Sequence, residues 1–337
     1  IYCRPICPAR PPKLENCRFV PTAAAAAEAG YRPCLRCLPE CSPDTGLWQG
    51  TSATVSRGLR LIEEGALDHG DVESLATRLG IGERHLRRLF RQHVGASPIA
   101  VAQTRRVLLA KQLIHRTGLS MTDVALASGF QSVRRFNEAF QQMYGRSPAQ
   151  LRRNHAIEST DTSEISLLLP YRPPYDWDSM LGFLAKRAIP GVERVCDQWY
   201  CRTIEIGGCA GMMQVANCAE QAALRVTVSI PRIDNLVTII ARTRQLFDLR
   251  ADSVAIDMAL SQDPIIAPFV ELRPGLRVPG AWDAFEIAVR AVLGQQISVN
   301  AATKLAGKLA GSLGSPAPAA LQRYQPVSYT HLRAHET

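Results

Sequence analysis

Leu75-Ala76-Thr77-Arg78-Leu79-Gly80-Ile81-Gly82-Glu83-Arg84-His85-Leu86-Arg87-Arg88-Leu89-Phe90 carries two apolar periods of helical spacing, parted by glycine. The pattern returns 49 to 50 residues later. Ala76, Gly80 and Ile81 are echoed by Ala125, Gly129 and Phe130. Leu86, Phe90 and Gly95-x-Ser97-Pro98 are echoed by Phe136, Phe140 and Gly145-x-Ser147-Pro148. Each copy reads as a short helix, a glycine turn and a second helix stopped by a glycine, the order of a helix-turn-helix. A long helix over 99–116 joins the copies, and Leu86, Leu89, Phe90, Phe136 and Phe140 are expected in the core. The second helices carry Arg84, His85, Arg87, Arg88 and Arg91 in one copy, and Arg134 and Arg135 in the other. One arginine-rich helix is usually a solvated face. Two, each on the second helix of a repeated glycine-turn unit, point to nucleic acid.

Ahead of this repeat stand Cys3-Arg4-Pro5-Ile6-Cys7 and Cys34-Leu35-Arg36-Cys37, two cysteine pairs with 26 residues between them. Two close thiol pairs joined by such a loop suit one tetrahedral Zn²⁺ site, with sulfurs at about 2.3 Å. The intervening residues are basic or small and offer hardly any core, so metal binding, of the order of 10–16 kcal/mol, would supply much of the stability. A purely structural zinc knuckle is the commonest meaning of this spacing, and a disulfide pair a lesser one. Cys17 and Cys41 are nearby thiols that could stand in for a ligand. Spacing alone does not say which sulfur would react.

The chain has 337 residues and a net charge of +9. Basic residues outnumber acidic ones sixteen to nine over 43–155, and the two are nearly level beyond. The positive surplus therefore lies in the front half, where a polyanion would be met. Turn-rich 42–46 and polar 157–164 read as linkers. Behind them Ile165-Ser-Leu-Leu-Leu, Tyr200-Cys-Arg-Thr-Ile-Glu-Ile and Leu224-Arg-Val-Thr-Val-Ser-Ile alternate as strands, with helices near 176–188 and 233–247 to cover one face. Cys196, Cys201, Cys209 and Cys218 are irregularly spaced and read as small buried hydrophobes. His331 and His335 have helical metal-pair spacing but no carboxylate or cysteine partner. Ten cysteines without a framework suit a reducing compartment. No run of 18 uncharged apolar residues is present to span a membrane.

Three resemblances sharpen this. Tyr2-Cys3-Arg4-Pro5-x-Cys7, Gly30-Tyr31-Arg32-Pro33-Cys34-x-Arg36-Cys37 and Pro39-Glu40 resemble the zinc domain of Ada-type DNA repair proteins over residues 1–42. The resemblance implies zinc held by Cys3, Cys7, Cys34 and Cys37, and single-turnover transfer of a methyl group from a DNA methylphosphotriester to Cys3. Such chemistry is sound: a thiolate is the nucleophile, and zinc keeps it deprotonated at neutral pH. Methylation removes one negative charge beside phosphates, which should tighten DNA binding and turn damage into a signal.

The repeat, over 43–155, resembles the DNA-binding region of AraC-type regulators. That implies two recognition helices in successive major-groove faces, with Arg84, Arg87, Arg88, Arg134 and Arg135 touching bases or phosphates. Pro174-Tyr175-Asp176-Trp177, Arg244-x-Leu246-Phe247-Asp248-Leu249, Arg273-Pro274-Gly275-Leu276-Arg277-x-Pro279-Gly280 and Trp282-Asp283-Ala284-Phe285-Glu286 to Leu293-Gly294-Gln295-Gln296-Ile297-Ser298-Val299 resemble AlkA-type 3-methyladenine DNA glycosylases. That family flips a damaged base and cleaves its glycosidic bond, using an aspartate after a Gly-x-Gly hairpin. No such hairpin follows Leu321, and Asp283, the last aspartate, reads as a helix-start carboxylate. Gln296 stands where the family wedges a side chain into the gap in the DNA. Residues 327–337 continue no pattern and read as a foreign tail. No Pro-Cys-His-Arg acceptor sequence of the O6-methylguanine methyltransferases occurs.

The expected chain is thus multidomain. It has a small zinc-bound α/β module (1–42), an all-α double helix-turn-helix (43–155), an α+β antiparallel-sheet domain (165–272) and the start of an all-α helix-hairpin-helix domain (273–326). The expected function is alkylation repair coupled to transcription activation, with double-stranded DNA and RNA polymerase as partners in a bacterial cytoplasm, at the nucleoid. The glycosylase activity is expected only in an untruncated protein. Two alternatives stand beside this: a plain AraC-type regulator with structural zinc, and a base-excision enzyme whose front half delivers it to DNA.

Overall fold

The computed structural model describes residues 1–3, 12–20, 22–34, 53–153 and 164–312. Expectations for Cys7, Cys37, Cys41, both linkers up to residue 163, His331, His335 and the tail lie outside the described residues.

In the front module Tyr2 pairs with Pro33 in a parallel bridge. The Tyr2 amide donates to Arg32 O at 2.8 Å, and the Cys34 amide donates to Tyr2 O at 3.0 Å. Helix α1 (Ala23–Glu28) starts at Thr22, whose Oγ1 accepts from the Ala25 amide at 3.0 Å. Ala24, Ala25 and Ala26 are buried, and Ala24 joins the apolar cluster of the next domain. Methyl-sized side chains let α1 lie close to its neighbour. The module thus shares a core that its own sequence cannot supply.

Helices α2 (Ala53–Glu63), α3 (Ala66–His69), α4 (Val72–Arg78) and α5 (Glu83–Val94) form the first unit. The long α6 (Pro98–Arg116) leads to α7 (Met121–Ala127), α8 (Val133–Tyr144) and α9 (Pro148–Arg153). The turns between α4 and α5 and between α7 and α8 place Gly80 and Gly129 at φ +72° and +91°, and Gly95 and Gly145 end α5 and α8 in the left-handed region. Leu86, Phe90, Phe136 and Phe140 are fully buried, with the Phe136 and Phe140 rings 4.9 Å apart. Leu89, expected beside them, is half-buried instead: one position short of Phe90, it points about 100° away around the helix.

The two units are locked by Asp68 on α3. Its carboxylate accepts from Arg105 and, at 2.8 Å, from Arg106 Nε of α6, while its backbone carbonyl accepts from Gln131 of the second unit at 2.7 Å. A Cβ on Gly129 would come within 2.5 Å of the Asp68 carboxylate, at a φ that side chains avoid. Gly129→Ala is therefore expected to lower stability by roughly 2 kcal/mol. The check is a lower urea midpoint at unchanged m.

The third region is a five-stranded antiparallel sheet in the order β1-β5-β4-β3-β2, formed by β1 (Glu164–Pro170), β2 (Glu193–Cys196), β3 (Trp199–Ile206), β4 (Cys209–Cys218) and β5 (Ala223–Ser229). Strands were expected at β1, β3 and β5; β2 and β4 were not. Helix α10 (Trp177–Ala185) packs on β2 and β3, and α11 (Leu236–Leu246) runs into Phe247, whose ring meets Tyr200 of β3 at 5.6 Å and Trp177 at 5.7 Å. Strand β1 packs on α6, and one apolar cluster runs from Val107, Phe136 and Phe140 to Leu167, Tyr200 and Val226. Helix-turn-helix region and sheet share a core, and Glu164, placed in the linker by sequence, is already in β1.

Helices α12 (Ser253–Leu260), α13 (Ala267–Leu272), α14 (Ala284–Leu293) and α15 (Val299–Ser312) complete the described chain. The motif at 273–280 proves architectural. Arg277, 5% exposed, donates to the carbonyls of Asp248, Ala251 and Arg172, and a Cβ on Gly275 would strike the Pro174 backbone. Arg202 of β3, 2% exposed, donates to Glu286 of α14 at 2.6 Å and lies over the Trp282 ring. Burial pushes the Glu286 carboxyl up, but Arg202 and Arg290 outweigh it and hold the group below its ordinary value. Asp283 caps α14, accepting from the Glu286 amide at 2.7 Å, as its sequence position implied.

Candidate methyl-acceptor site and nucleic-acid interface

The Tyr2–Pro33 bridge sets the first and second cysteine segments side by side, so that Cys3 and Cys34 flank one ladder position. Their exposures differ. Cys3 is exposed, whereas Cys34 is 8% exposed. A donor set drawn from both segments, all thiol, fits a soft, tetrahedral metal such as Zn²⁺. Among the described residues no group of three ligating side chains forms, since Cys7 and Cys37 lie outside them. Cys17 is half-buried, with Sγ donating to Lys13 O at 3.5 Å. In the sheet, burial pushes the Cys201 thiol up to about 12, which suits an inert packing group; Cys196, Cys209 and Cys218 are half-buried.

On α5 the core residues Leu86, Phe90 and Val94 repeat every four positions, leaving Arg84, Arg87, Arg88 and Arg91 together on the opposite, exposed face. On α8, Phe136, Ala139, Phe140 and Tyr144 are buried and Arg134 and Arg135 exposed. Arg87 Nε donates to Glu83 at 2.7 Å, Arg134 Nε to Glu138 at 2.9 Å, and Arg88 lies 3.0 Å from His85 Nδ1. Such exposed pairs are worth little and open readily for a phosphate. Gln296 is exposed, at φ +59° just beyond the end of α14. Sequence reasoning, drawn to arginine, passed over Asn137 and Gln141, which are exposed polar residues on α8. Amide side chains on a recognition helix can read adenine, and that was the available signal. It also passed over Asp68, whose partners lie 37 or more residues away.

Residues 1–40 match the metal binding domain of Ada, 75–154 a helix-turn-helix domain and 166–283 the AlkA N-terminal domain. A Mycobacterium tuberculosis protein named "Probable bifunctional transcriptional activator/DNA repair enzyme AlkA" is 41% identical over 320 residues, covering 94% of this chain and 64% of that protein. The bifunctional transcriptional activator/DNA repair enzyme AdaA of Bacillus subtilis is 30% identical over 162 residues, 48% of this chain and 74% of that protein. DNA-3-methyladenine glycosylase 2 of Escherichia coli is 38% identical over 146 residues, 43% of this chain and 50% of that enzyme. The chain thus spans a little under two thirds of its M. tuberculosis relative. It belongs to the family of Ada-type bifunctional transcriptional activator/DNA repair proteins, here with an AlkA N-terminal domain behind the regulator.

Proposed function

We propose that the chain removes methyl groups from methylphosphotriesters in duplex DNA by transfer to Cys3, and that this transfer raises the affinity of its helix-turn-helix pair for promoter DNA. The observation that carries the reading is the pairing of an exposed Cys3 with a buried Cys34 across one bridge: only the former can meet a phosphotriester. Zn²⁺, when held by Cys3, Cys7, Cys34 and Cys37, supplies the positive charge that keeps the thiols deprotonated. The Cys3 sulfur attacks the methyl carbon, the C–O bond breaks, and its electron pair leaves with a phosphodiester anion. The thioether formed has no easy way back, so each chain reacts once. The test is mass spectrometry of the chain after exposure to duplex DNA bearing isotope-labelled methylphosphotriesters. Label on the Cys3 peptide alone supports the reading; label on no cysteine leaves a zinc-braced regulator.

Base readout falls to the exposed faces of α5 and α8. Arg84 and Arg135, outside the i, i+4 ion pairs of Arg87 and Arg134, are available for bases without first giving up a carboxylate. Arg84→Ala and Arg135→Ala are each expected to weaken binding to a selected duplex by about 1–3 kcal/mol and relax the sequence preference at one position. Arg87→Ala and Arg134→Ala are expected to lower binding nearly uniformly across sequences, with a shallower salt dependence. Competition binding against single-base variants separates the two behaviours. As an activator the protein would contact RNA polymerase. The AlkA N-terminal match supports a second activity in a longer chain: release of alkylated bases, with Gln296 near the DNA.

A further inference from the structure

The front module touches both recognition helices, and it does so at equivalent points. Thr22 Oγ1 donates to Val94 O at 3.1 Å, the last residue of α5. Arg32 Nη1 donates to Tyr144 O at 3.3 Å, the last residue of α8. Val94 and Tyr144 occupy the same place in the two repeats, each followed by Gly-x-Ser-Pro. Helix C-termini present unpaired carbonyls and the negative end of the helix dipole, so a hydroxyl and a guanidinium are apt donors there. A third contact fixes the first unit further. The Glu28 carboxylate accepts from the Ser97 amide and hydroxyl, both at 3.1 Å, and lies 3.9 Å from Arg91. The short α1 and the segment 31–34 are themselves tied together, because the Tyr31 amide donates to Ala26 O at 3.0 Å.

We infer that the front module is a brace between the two recognition helices, with Thr22 and Arg32 as positioning residues that set the spacing at which α5 and α8 meet DNA. The inference rests on the reading of α5 and α8 as joint readers of one duplex. Two linked binding elements gain from each other only when their geometry lets both engage at once. A brace across their matching ends raises the effective concentration of the second helix once the first is seated. The brace is fastened to the acceptor strand, since the Arg32 carbonyl accepts from Tyr2, the neighbour of Cys3. Regulator geometry and methyl acceptor are therefore held by the same residue.

The test uses the whole 337-residue chain and duplexes enriched from a randomised pool by the unmodified chain, together with versions in which either half of the selected site is scrambled. The quantity read is the ratio of affinities for the whole and half-scrambled sites. Thr22→Asp keeps the cap on α1, because its carboxylate still accepts from the Ala25 amide, but it has no proton for Val94 O and is repelled by the helix end. Arg32→Met keeps side-chain length without a donor. Each is expected to lower the ratio about tenfold, while Thr22→Ser, which keeps donor and cap, leaves it unchanged. Loss of a phosphate contact or general destabilisation would lower all affinities alike and leave the ratio intact. A ratio for Thr22→Asp and Arg32→Met within about twofold of the unmodified chain overturns the brace. If the unmodified chain gains nothing from the second half-site, the joint-reader reading falls, and the brace with it.

Discussion

Asp68→Ala is expected to lower the stability of the helix-turn-helix region by about 3–5 kcal/mol, the largest single-site loss predicted for its core. Asp68 is 6% exposed and, among the described residues, is the only carboxylate bonded to Arg105 and Arg106. Burial depresses the Arg105 pKa and the Asp68 charge opposes that effect; arginine nevertheless stays ionised at neutral pH. Removing the carboxylate leaves two largely buried cations, where desolvation has lost its compensating attraction. The alternative to ionic rescue is apolar replacement. A triple variant with Asp68→Leu, Arg105→Met and Arg106→Leu is expected to recover most of the loss, because the cost lies in unpaired charge and not in missing contacts. Thermal and urea unfolding of the three proteins would decide this. Equal instability in the single and triple variants would show that the carboxylate acts mainly by shape. The Gln131 amide donates to the Asp68 backbone carbonyl, which alanine keeps, so the expected loss comes from the arginines alone.

The helix-turn-helix pair was legible because its information is local and stated twice. Gly80 and Gly129 meet a positive-φ requirement that few other residues satisfy, and Leu86–Phe90 and Phe136–Phe140 mark a buried stripe with a four-residue step. Strand β4 was not legible, for a reason in its composition. Cys209-Ala-Gly-Met-Met-Gln-Val-Ala-Asn-Cys218 holds a single β-branched residue and no aromatic one, so it lacks the usual strand signature. Its one clear signal was overlooked: Gly207-Gly208, both at positive φ, join β3 to β4 in the manner of a two-residue hairpin. Long-range partners were out of reach altogether. Arg202 and Glu286 are 84 residues apart, and Thr22 and Val94 72, and nothing in composition ties them. The cysteine pairs announced a metal site, yet their difference in exposure, which singles out Cys3 over Cys34, depends on which segment lies outermost in the fold.

Cys3→Ser should abolish methyl transfer while leaving the regulator folded. A serine hydroxyl stays protonated at neutral pH and is a poor ligand for zinc, so the variant has neither nucleophile nor fourth donor. The remaining three cysteines should still hold the metal more weakly, and the helix-turn-helix, whose core takes only Ala24 from the described residues of the front module, should keep its helical content. Its affinity for undamaged promoter DNA, however, should not match that of the methylated chain. Both changes remove a thiolate charge, but only methylation leaves a sulfur donor in place to hold the segment that carries Tyr2 and, through it, Arg32. The methylated chain is expected to bind about tenfold tighter than the unmethylated one at low salt, with the advantage shrinking as salt rises, because it arises from repulsion between a thiolate and phosphates. Serine at position 3 should give an intermediate affinity with a similar salt response. Equal affinities for methylated and unmethylated chains across the salt range would leave repair and regulation as separate activities on one polypeptide. A Cys3→Ser chain that still takes up labelled methyl would move the acceptor to another cysteine, and among the described residues of the two paired segments Cys34 is too buried to be reached without opening the bridge at Tyr2 and Pro33.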